Sequence, residues 1–314
     1  AALGTNVPPT NNTDMKTYGW ELQIGWRDQI GDFKYGAKLS LSDSQSKILR
    51  YGNPTGSLSK YVEGELIGNI YGYTTIGIAK TDEEMQQHLA SLPNGGQSAL
   101  GSQWAAGDIM YADLNGDGKI NNGSYTINDM GDMKKIGNST PRFMTGINLD
   151  AAYKGWDLQM FWQGVLKRDW WPGDKNMTFW GVTDGEWWST SFKEHLDYFR
   201  TSENPLGENL NSYYPRPIFN TKNNKSQTRY LQNAAYMRLK NIQVGYTFPK
   251  VWINKLMLQN LRIFVSGENL LTITSLSDTM DPETCGAGYQ STEQANGTVY
   301  PLAKTISFGL SVNF

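Results

Sequence analysis

Oxygen-bearing side chains around residue 113 have the spacing of a calcium-binding loop. Asp113, Asn115 and Asp117 occupy its first, third and fifth positions, Gly118 stands at the sharp turn in the sixth, and Lys119 offers its carbonyl in the seventh. The twelfth position holds Ser124 instead of the bidentate Glu of an EF-hand, so Asp129 or Asp132 would have to complete the shell. The pattern predicts a structural Ca²⁺, with a metal-free Asn/Gly/Asp turn as the alternative.

Tryptophans crowd the stretch between residues 166 and 235. They are Trp170, Trp171, Trp180, Trp187 and Trp188. Exposed indole rings could stack on sugar rings or anchor a protein interface, in which Trp is a favoured residue. We therefore treat these five as candidate contacts to a substrate or to a partner protein. The alternative is that they pack the core of their own segment.

One acid-base cluster, Glu194, His195 and Asp197, lies in the same stretch. No nucleophile accompanies it, and the flanking apolar residues predict a short amphipathic helix in a loop. The chain has a single cysteine, Cys285, and two histidines far apart in sequence, which disfavours redox and zinc chemistry. We predict no catalytic residue and no enzyme activity.

The elements that must position these residues are segments in which apolar and polar residues alternate. Each is about ten residues long, as a tilted strand needs to cross a bilayer. In the first, Trp20, Leu22 and Ile24 share one face, while Glu21 and Gln23 share the other. The predicted strands are 18–27, 33–42, 142–153, 156–165, 236–248, 261–271 and 305–314. The alternation changes phase near Lys240 and Asn241, which predicts a β-bulge there.

The links between these strands alternate between short and long. An up-and-down meander with short turns on one side and long loops on the other is typical of outer-membrane barrels. We predict that residues 43–141, 166–235 and 272–304 form long extracellular loops and that Phe314 ends on the periplasmic side. Seven strands leave two unpaired edges, which hydrocarbon does not tolerate, so more strands are expected from elsewhere, most simply from an N-terminal portion absent from this chain.

Composition excludes other classes. The 28 Lys and Arg nearly balance the 30 Asp and Glu, giving a net charge of -2, which offers no electrostatic footprint for nucleic acid. No run of about 18 apolar residues provides a transmembrane helix. The mean hydropathy of -0.52 does not exclude transmembrane strands, because their two faces average out as polar.

Several motifs, in this order and spacing, resemble the SusC/RagA-type TonB-dependent transporters of Bacteroidetes from about residue 18 to residue 314. They are GWEL at 19–22, GDIMYADLNGDG at 107–118, IGNSTPRF at 136–143, YKGWDL at 153–158, FWQGV at 161–165, YMRLKNIQVGY at 236–246, VSGENLL at 265–271, DPE at 281–283 and YPLAKTISFG at 300–309.

The resemblance implies an all-β fold, an antiparallel up-and-down transmembrane barrel of about 22 strands with an N-terminal plug inside it. This chain would hold the last seven strands, with the plug and the TonB box before Ala1. The resemblance also implies an outer-membrane location, energy supplied through TonB, a SusD-like lipoprotein lid, and import of a glycan or a peptide. Two rival hypotheses are a soluble or surface carbohydrate-binding β-protein and an adhesive surface protein. Apolar outward residues on all seven strands, over at least half the length of each, favour transport over the first. The terminal aromatic strand, 308–314, resembles the C-terminal insertion signal of outer-membrane barrels and favours transport over the second.

Overall fold

The computed structural model describes residues 11–185, 191–285 and 301–314, and most of its regular structure is strand. The strands are β1 (Asp14–Ile30), β2 (Phe33–Arg50), β3 (Asn69–Tyr73), β4 (Thr75–Ile78), β5 (Ile109–Tyr111), β6 (Met133–Asn138), β7 (Arg142–Tyr153), β8 (Trp156–Lys167), β9 (Asp169–Trp170), β10 (Gln232–Asn233), β11 (Tyr236–Thr247), β12 (Asn260–Thr274) and β13 (Thr305–Asn313). The helices are α1 (Asp82–Ala90), α2 (Met177–Trp180) and α3 (Lys250–Ile253), with 3₁₀ turns at Gly181–Thr183, Lys193–Leu196, Lys222–Asn224 and Asn254–Leu256.

The seven longest strands form one antiparallel sheet in the order β1-β2-β7-β8-β11-β12-β13. Each is one of the predicted segments, so the predicted meander is confirmed. β1 and β2 run well past the predicted ends, because Asp14 still pairs with Arg50. The first long connection therefore begins at residue 51 and not at residue 43. The predicted bulge is also confirmed, since the register of β11 shifts between Leu239 and Asn241 against both β8 and β12.

The sheet has one apolar and one polar face. Tyr18, Trp20, Leu22, Ile24 and Trp26 of β1 all point to the apolar face and are exposed. Large apolar side chains exposed in a continuous row need a partner other than water, and hydrocarbon satisfies that need. No helix among the residues described is long and apolar enough to cross a membrane.

All three long connections leave the sheet at one end, because neighbouring strands run in opposite directions. We call this the long-loop end. The other, short-turn end carries the links 31–32, 154–155 and 248–259. At the 154–155 turn, Lys154 and Gly155 both have positive φ, 46° and 91°, the conformation that a two-residue hairpin turn requires.

The apolar core lies outside the sheet, in the long connections. Residues from all three pack in one cluster, including Ile109, Tyr111, Trp180, Tyr230 and Met280. The pairs β3·β6, β4·β5 and β9·β10 add short antiparallel ladders. We call residues 51–141, 168–235 and 275–285 the long-loop body. The predicted loops are thus a folded unit with its own core.

Candidate functional site

The Asp113 turn is held by its own backbone. The Asp113 carboxylate accepts hydrogen bonds from the backbone amides of Gly116 at 2.6 Å and Gly118 at 2.8 Å, and Asn115 Oδ1 accepts one from Asp117 at 2.9 Å. Desolvation alone would raise the pKa of Asp113, but the amide hydrogen bonds outweigh it and lower that pKa. The turn has the tight backbone of a cation loop with its carboxylate kept ionised.

Asp132 lies beside Asp113, whereas Asp129 caps a different turn. Asp132 is fully buried and accepts hydrogen bonds from the amides of Leu114 at 2.9 Å and Asn121 at 2.8 Å. Desolvation, together with the neighbouring Asp113 carboxylate, raises the pKa of Asp132. Asp129 instead accepts bonds from the Ser124 amide at 2.8 Å and its hydroxyl at 2.6 Å.

The remaining predicted ligands of the turn are Asn115, Asp117 and Lys119. Asp117 Oδ2 lies 3.8 Å from Lys119 Nζ. The side chain of Lys119, whose carbonyl is a predicted ligand, therefore pairs with the side chain of Asp117. In the part of the chain that the structure describes, no three His, Cys, Asp or Glu side chains converge as a metal centre would require. A cation here would draw its further oxygens from Asn115, backbone carbonyls and water.

The tryptophans of the second long connection lie in the core of the long-loop body. Trp170 and Trp180 are 2% and 0% exposed, which leaves them no surface for a lid or a substrate. Contact with a substrate or a lid does not fit the burial of Trp170 and Trp180. The alternative prediction, that they pack the core of their own segment, does fit it. Trp171 is partly buried, with its ring centroid 6.1 Å from that of Trp180. Trp187 and Trp188 lie outside the described residues.

In the predicted acid-base cluster, His195 has a structural role. His195 is buried in the 3₁₀ turn Lys193–Leu196; its Nδ1 accepts a hydrogen bond from the Phe192 amide at 2.8 Å, and its Nε2 lies 3.1 Å from the Phe179 carbonyl. Burial lowers the pKa of His195. The ring is a neutral brace between two segments of the second long connection.

A buried charge cluster joins the first and second long connections, and sequence reasoning missed it. Asp108 Oδ2 lies 2.8 Å from Lys222 Nζ, and Asp108 Oδ1 accepts from Arg216 at 2.8 Å and Asn223 at 2.9 Å. The Lys222 ammonium also stands 4.5 Å from the centre of the Trp104 ring. More than 100 residues separate Asp108 from its partners, so no local spacing could have revealed the cluster.

The polar face of the sheet carries ion pairs that reach over a whole strand. Arg27 of β1 meets Asp150 of β7 at 3.2 Å across Gly36 of β2. A Cβ at Gly36 would stand 2.6 Å from the Asp150 carboxylate, so glycine opens the space that the pair occupies. Arg262 of β12 also meets Asp157 of β8 at 3.0 Å over β11, where Arg262 lies opposite Thr247 and reaches diagonally past Gly245, whose added Cβ would stand 2.7 Å from the Asp157 carboxylate.

Together, the fold and its two contrasting faces define a segment of an outer-membrane type β-barrel. No model of a known protein family matches the chain. The chain is 27% identical over 333 aligned residues to TonB-dependent receptor P3 of Formosa agariphila, a match that covers 99% of this chain and 30% of that protein. It is 23% identical over 339 residues to TonB-dependent receptor P39 of the same organism, covering 97% and 31%.

A solved structure of the RagAB peptide transporter has the same fold, with a TM-score of 0.63 and 18% identity, covering 100% of this chain and 31% of that one. The chain thus spans about 30% of the length of the relatives it matches. The resemblance predicted from the sequence is confirmed: over nearly its whole length the chain is similar to TonB-dependent receptors, and its seven-stranded sheet has the fold of part of the RagAB structure.

Proposed function

We propose that this chain is the C-terminal part of an outer-membrane importer that takes up a nutrient, an oligosaccharide or a peptide, with energy delivered through TonB. One observation carries the proposal: seven paired strands carry exposed apolar side chains on one face and polar side chains on the other, in a chain that is similar to TonB-dependent receptors over nearly its whole length. An apolar face suits lipid, and a polar one suits a wet lumen or a plug.

In this proposal the long-loop body lies outside the cell and the short-turn end faces the periplasm. Outer-membrane barrels have short periplasmic turns and longer extracellular loops, and the division of the links into two classes supports that orientation. Phe314 then ends on the periplasmic side. The remaining barrel strands and the plug would belong to the same polypeptide and would pair with the free edges of β1 and β13.

The proposed partner is a SusD-like lipoprotein that covers the outer end of the barrel. Support comes from apolar side chains exposed on the second long connection, among them Phe219 and Leu206, which are 83% and 63% exposed. An exposed aromatic on a rigid base is a typical anchor of a protein interface. The undescribed Trp187 and Trp188 stay predicted contributors to the same surface.

We propose in addition that the Asp113 turn binds Ca²⁺ as a structural staple. The side chains of Asp113 and the buried Asp132 interact with each other, and both desolvation and the Asp113 charge raise the pKa of Asp132, so a divalent cation would take the place of the proton that the two carboxyl groups share. Such an ion would tie residues 113–118 to residue 132 and hold the segment before β7 in one conformation.

Two measurements on the intact protein test the proposed function. The first is fractionation: the protein should be recovered with the outer membrane and should need detergent for extraction, whereas a carbohydrate-binding soluble protein would be recovered as a monomer without detergent. The second is growth of a deletion strain on separate glycans and peptides as sole nutrient. We expect loss of growth on one substrate class, restored by the intact gene. Membrane recovery without any lost substrate would contradict import and would favour an adhesive role.

A further inference from the structure

The third long connection folds back onto the polar face of β11 through a buried arginine. Arg238 donates to both Asp281 oxygens at 2.9 Å and to Glu283 at 2.9 Å, and its side chain is 4% exposed. Charge-assisted and bidentate hydrogen bonds of this kind are the strongest that side chains make. The segment 281–285 is therefore fixed to the wall of the sheet at this point.

The bulge of β11 supplies a second cation to the same segment. Leu239 and Asn241 pair with β8 and β12, while Lys240 between them pairs with neither. Lys240 is thus released from the regular alternation, and its Nζ lies 3.1 Å from Glu283 Oε2. A bulge re-aims a side chain, and here it brings Lys240 beside Arg238. Two cations then face the two carboxylates, Asp281 and Glu283, and the charges balance.

Further bonds close the segment at both ends. Arg168, at the start of the second long connection, is buried and donates to the carbonyls of Pro282 at 3.2 Å and Cys285 at 2.9 Å. Asp281 Oδ2 also accepts the amide of Leu302 at 3.2 Å, just before β13. Asp281 therefore joins this segment to the residues that lead into β13. Desolvation alone would raise the pKa of Asp281, but the bonds from Arg238 and these amides hold that pKa below its ordinary value.

We propose that residues 281–285 form a latched strap, fixed to the polar face by Arg238 and Lys240, that stays in place as part of the inner wall while substrate passes. The latched strap covers Arg238, so that this cation holds the wall together and does not meet the substrate. The role in the transport route rests on the proposed import function, but the latch itself does not.

The only cysteine of the chain provides a probe of the latched strap, because Cys285 is buried within it. The intact protein is treated in outer membranes with a membrane-impermeant maleimide, and the labelling rate at Cys285 is read by peptide mass spectrometry. We expect slow labelling in the unaltered protein and labelling about tenfold faster or more in Arg238→Met, since the three charge-assisted bonds from Arg238 to Asp281 and Glu283 are lost. Lys240→Met should accelerate labelling less, because Arg238 remains.

Arg262→Met is the matched control. Arg262 also pairs with a carboxylate on the polar face, but its partner Asp157 lies within the sheet, so the labelling rate at Cys285 should stay at its original value. If Arg238→Met fails to insert into the membrane, Asp281→Asn tests the same latch from the strap side. Equal acceleration in Arg262→Met, or none in Arg238→Met and Asp281→Asn, would overturn the latch. A confirmed latch in a protein that imports nothing would instead refute only the proposed function.

Discussion

Lys222 and Asp108 form an ion pair 2.8 Å long whose two side chains are 2% and 0% exposed. Lys222 also donates to the carbonyls of Ser102 at 2.9 Å and Gln103 at 2.8 Å, so its ammonium is fully hydrogen-bonded. Burial lowers the pKa of Lys222, and the hydrogen bond to the Asp108 carboxylate opposes that shift. This pair joins the first and second long connections into one body.

Replacing Lys222 by Met should loosen the long-loop body. The substitution leaves the Asp108 carboxylate buried with less compensation, and breaking a buried pair in this way costs about 3–5 kcal/mol. Limited proteolysis of the intact protein in outer membranes measures the effect as faster cleavage within residues 51–141 and 168–235, with the strands still protected.

The control for that substitution is Lys135→Met, which removes a half-exposed pair with Glu65 in the same body. Surface pairs contribute only about 0–1 kcal/mol, so cleavage should hardly change. Similar cleavage rates in both variants would mean that the buried pair does not hold the two connections together.

The two faces of β1 give a second prediction. Leu22→Arg places a charge on the apolar face at mid-strand and should destabilise the inserted barrel by roughly 2–4 kcal/mol, whereas Gln23→Arg on the polar face should be mild. Urea unfolding in lipid vesicles or detergent compares the two variants directly. Equal losses at these adjacent positions would show that the faces are assigned wrongly.

The calcium proposal predicts an ion at the Asp113 turn with about six to eight oxygen ligands. Calorimetry with Ca²⁺ should show binding that Asp113→Asn weakens strongly. Asp129→Asn is the matched control, because that carboxylate caps the Ser124 turn and should leave affinity almost unchanged. Absence of binding at millimolar calcium would reduce the motif to a turn.

The buried His195 predicts a pH dependence. Burial lowers its pKa from the ordinary 6.5, so the unfolded chain binds a proton at a higher pH than the folded one does. The folded state is therefore favoured most above pH 6.5, and this contribution is lost as the pH falls from 6.5 towards the lowered pKa. The protection factor of the Phe192 amide, which is its exchange rate relative to the intrinsic rate at the same pH, should show weaker protection as the pH falls through that window. This pH-dependent loss of protection should disappear in His195→Gln. If His195→Gln kept the same pH dependence as the original protein, the assignment to His195 would be contradicted.

Most of the sheet could be predicted from the sequence, because alternation over a strand such as β1 is a local pattern with a physical cause. The β-bulge at Lys240 could also be predicted from the sequence, since an extra residue moves every later side chain of the strand to the opposite face. The C-terminal end of β2 could not be predicted, because Ser44 and Ser46 alternate with polar neighbours and only the pairing with β1 extends the strand.

The long-loop body was beyond such reasoning. Its core joins residues such as Tyr111 and Tyr230, which no periodicity connects, and its short strands of two to six residues carry little pattern. A dense group of tryptophans looks the same in sequence whether the rings face a ligand or each other. Only the packing of Trp180 against Tyr230, with ring centroids 4.8 Å apart, distinguishes the two.

The last prediction concerns the proposed lid. Phe219 is 83% exposed and lies in the sequence between two buried residues, Tyr214 and Lys222. Truncating a hot-spot aromatic side chain weakens association by about tenfold or more. Phe219→Ala should therefore reduce co-purification of the SusD-like lipoprotein and slow uptake, and the double replacement of Trp187 and Trp188 by Ala should do the same.

Trp252→Ala supplies the control for the lid. Trp252 is also exposed, at 59%, but it lies in the 248–259 link at the short-turn end, so its loss should not touch lid association. Barrel insertion should survive in every one of these variants, because insertion depends on the strands. If the Phe219 and double tryptophan variants both keep full lid association and uptake, or if Trp252→Ala weakens the lid equally, then the lid does not dock on the second long connection.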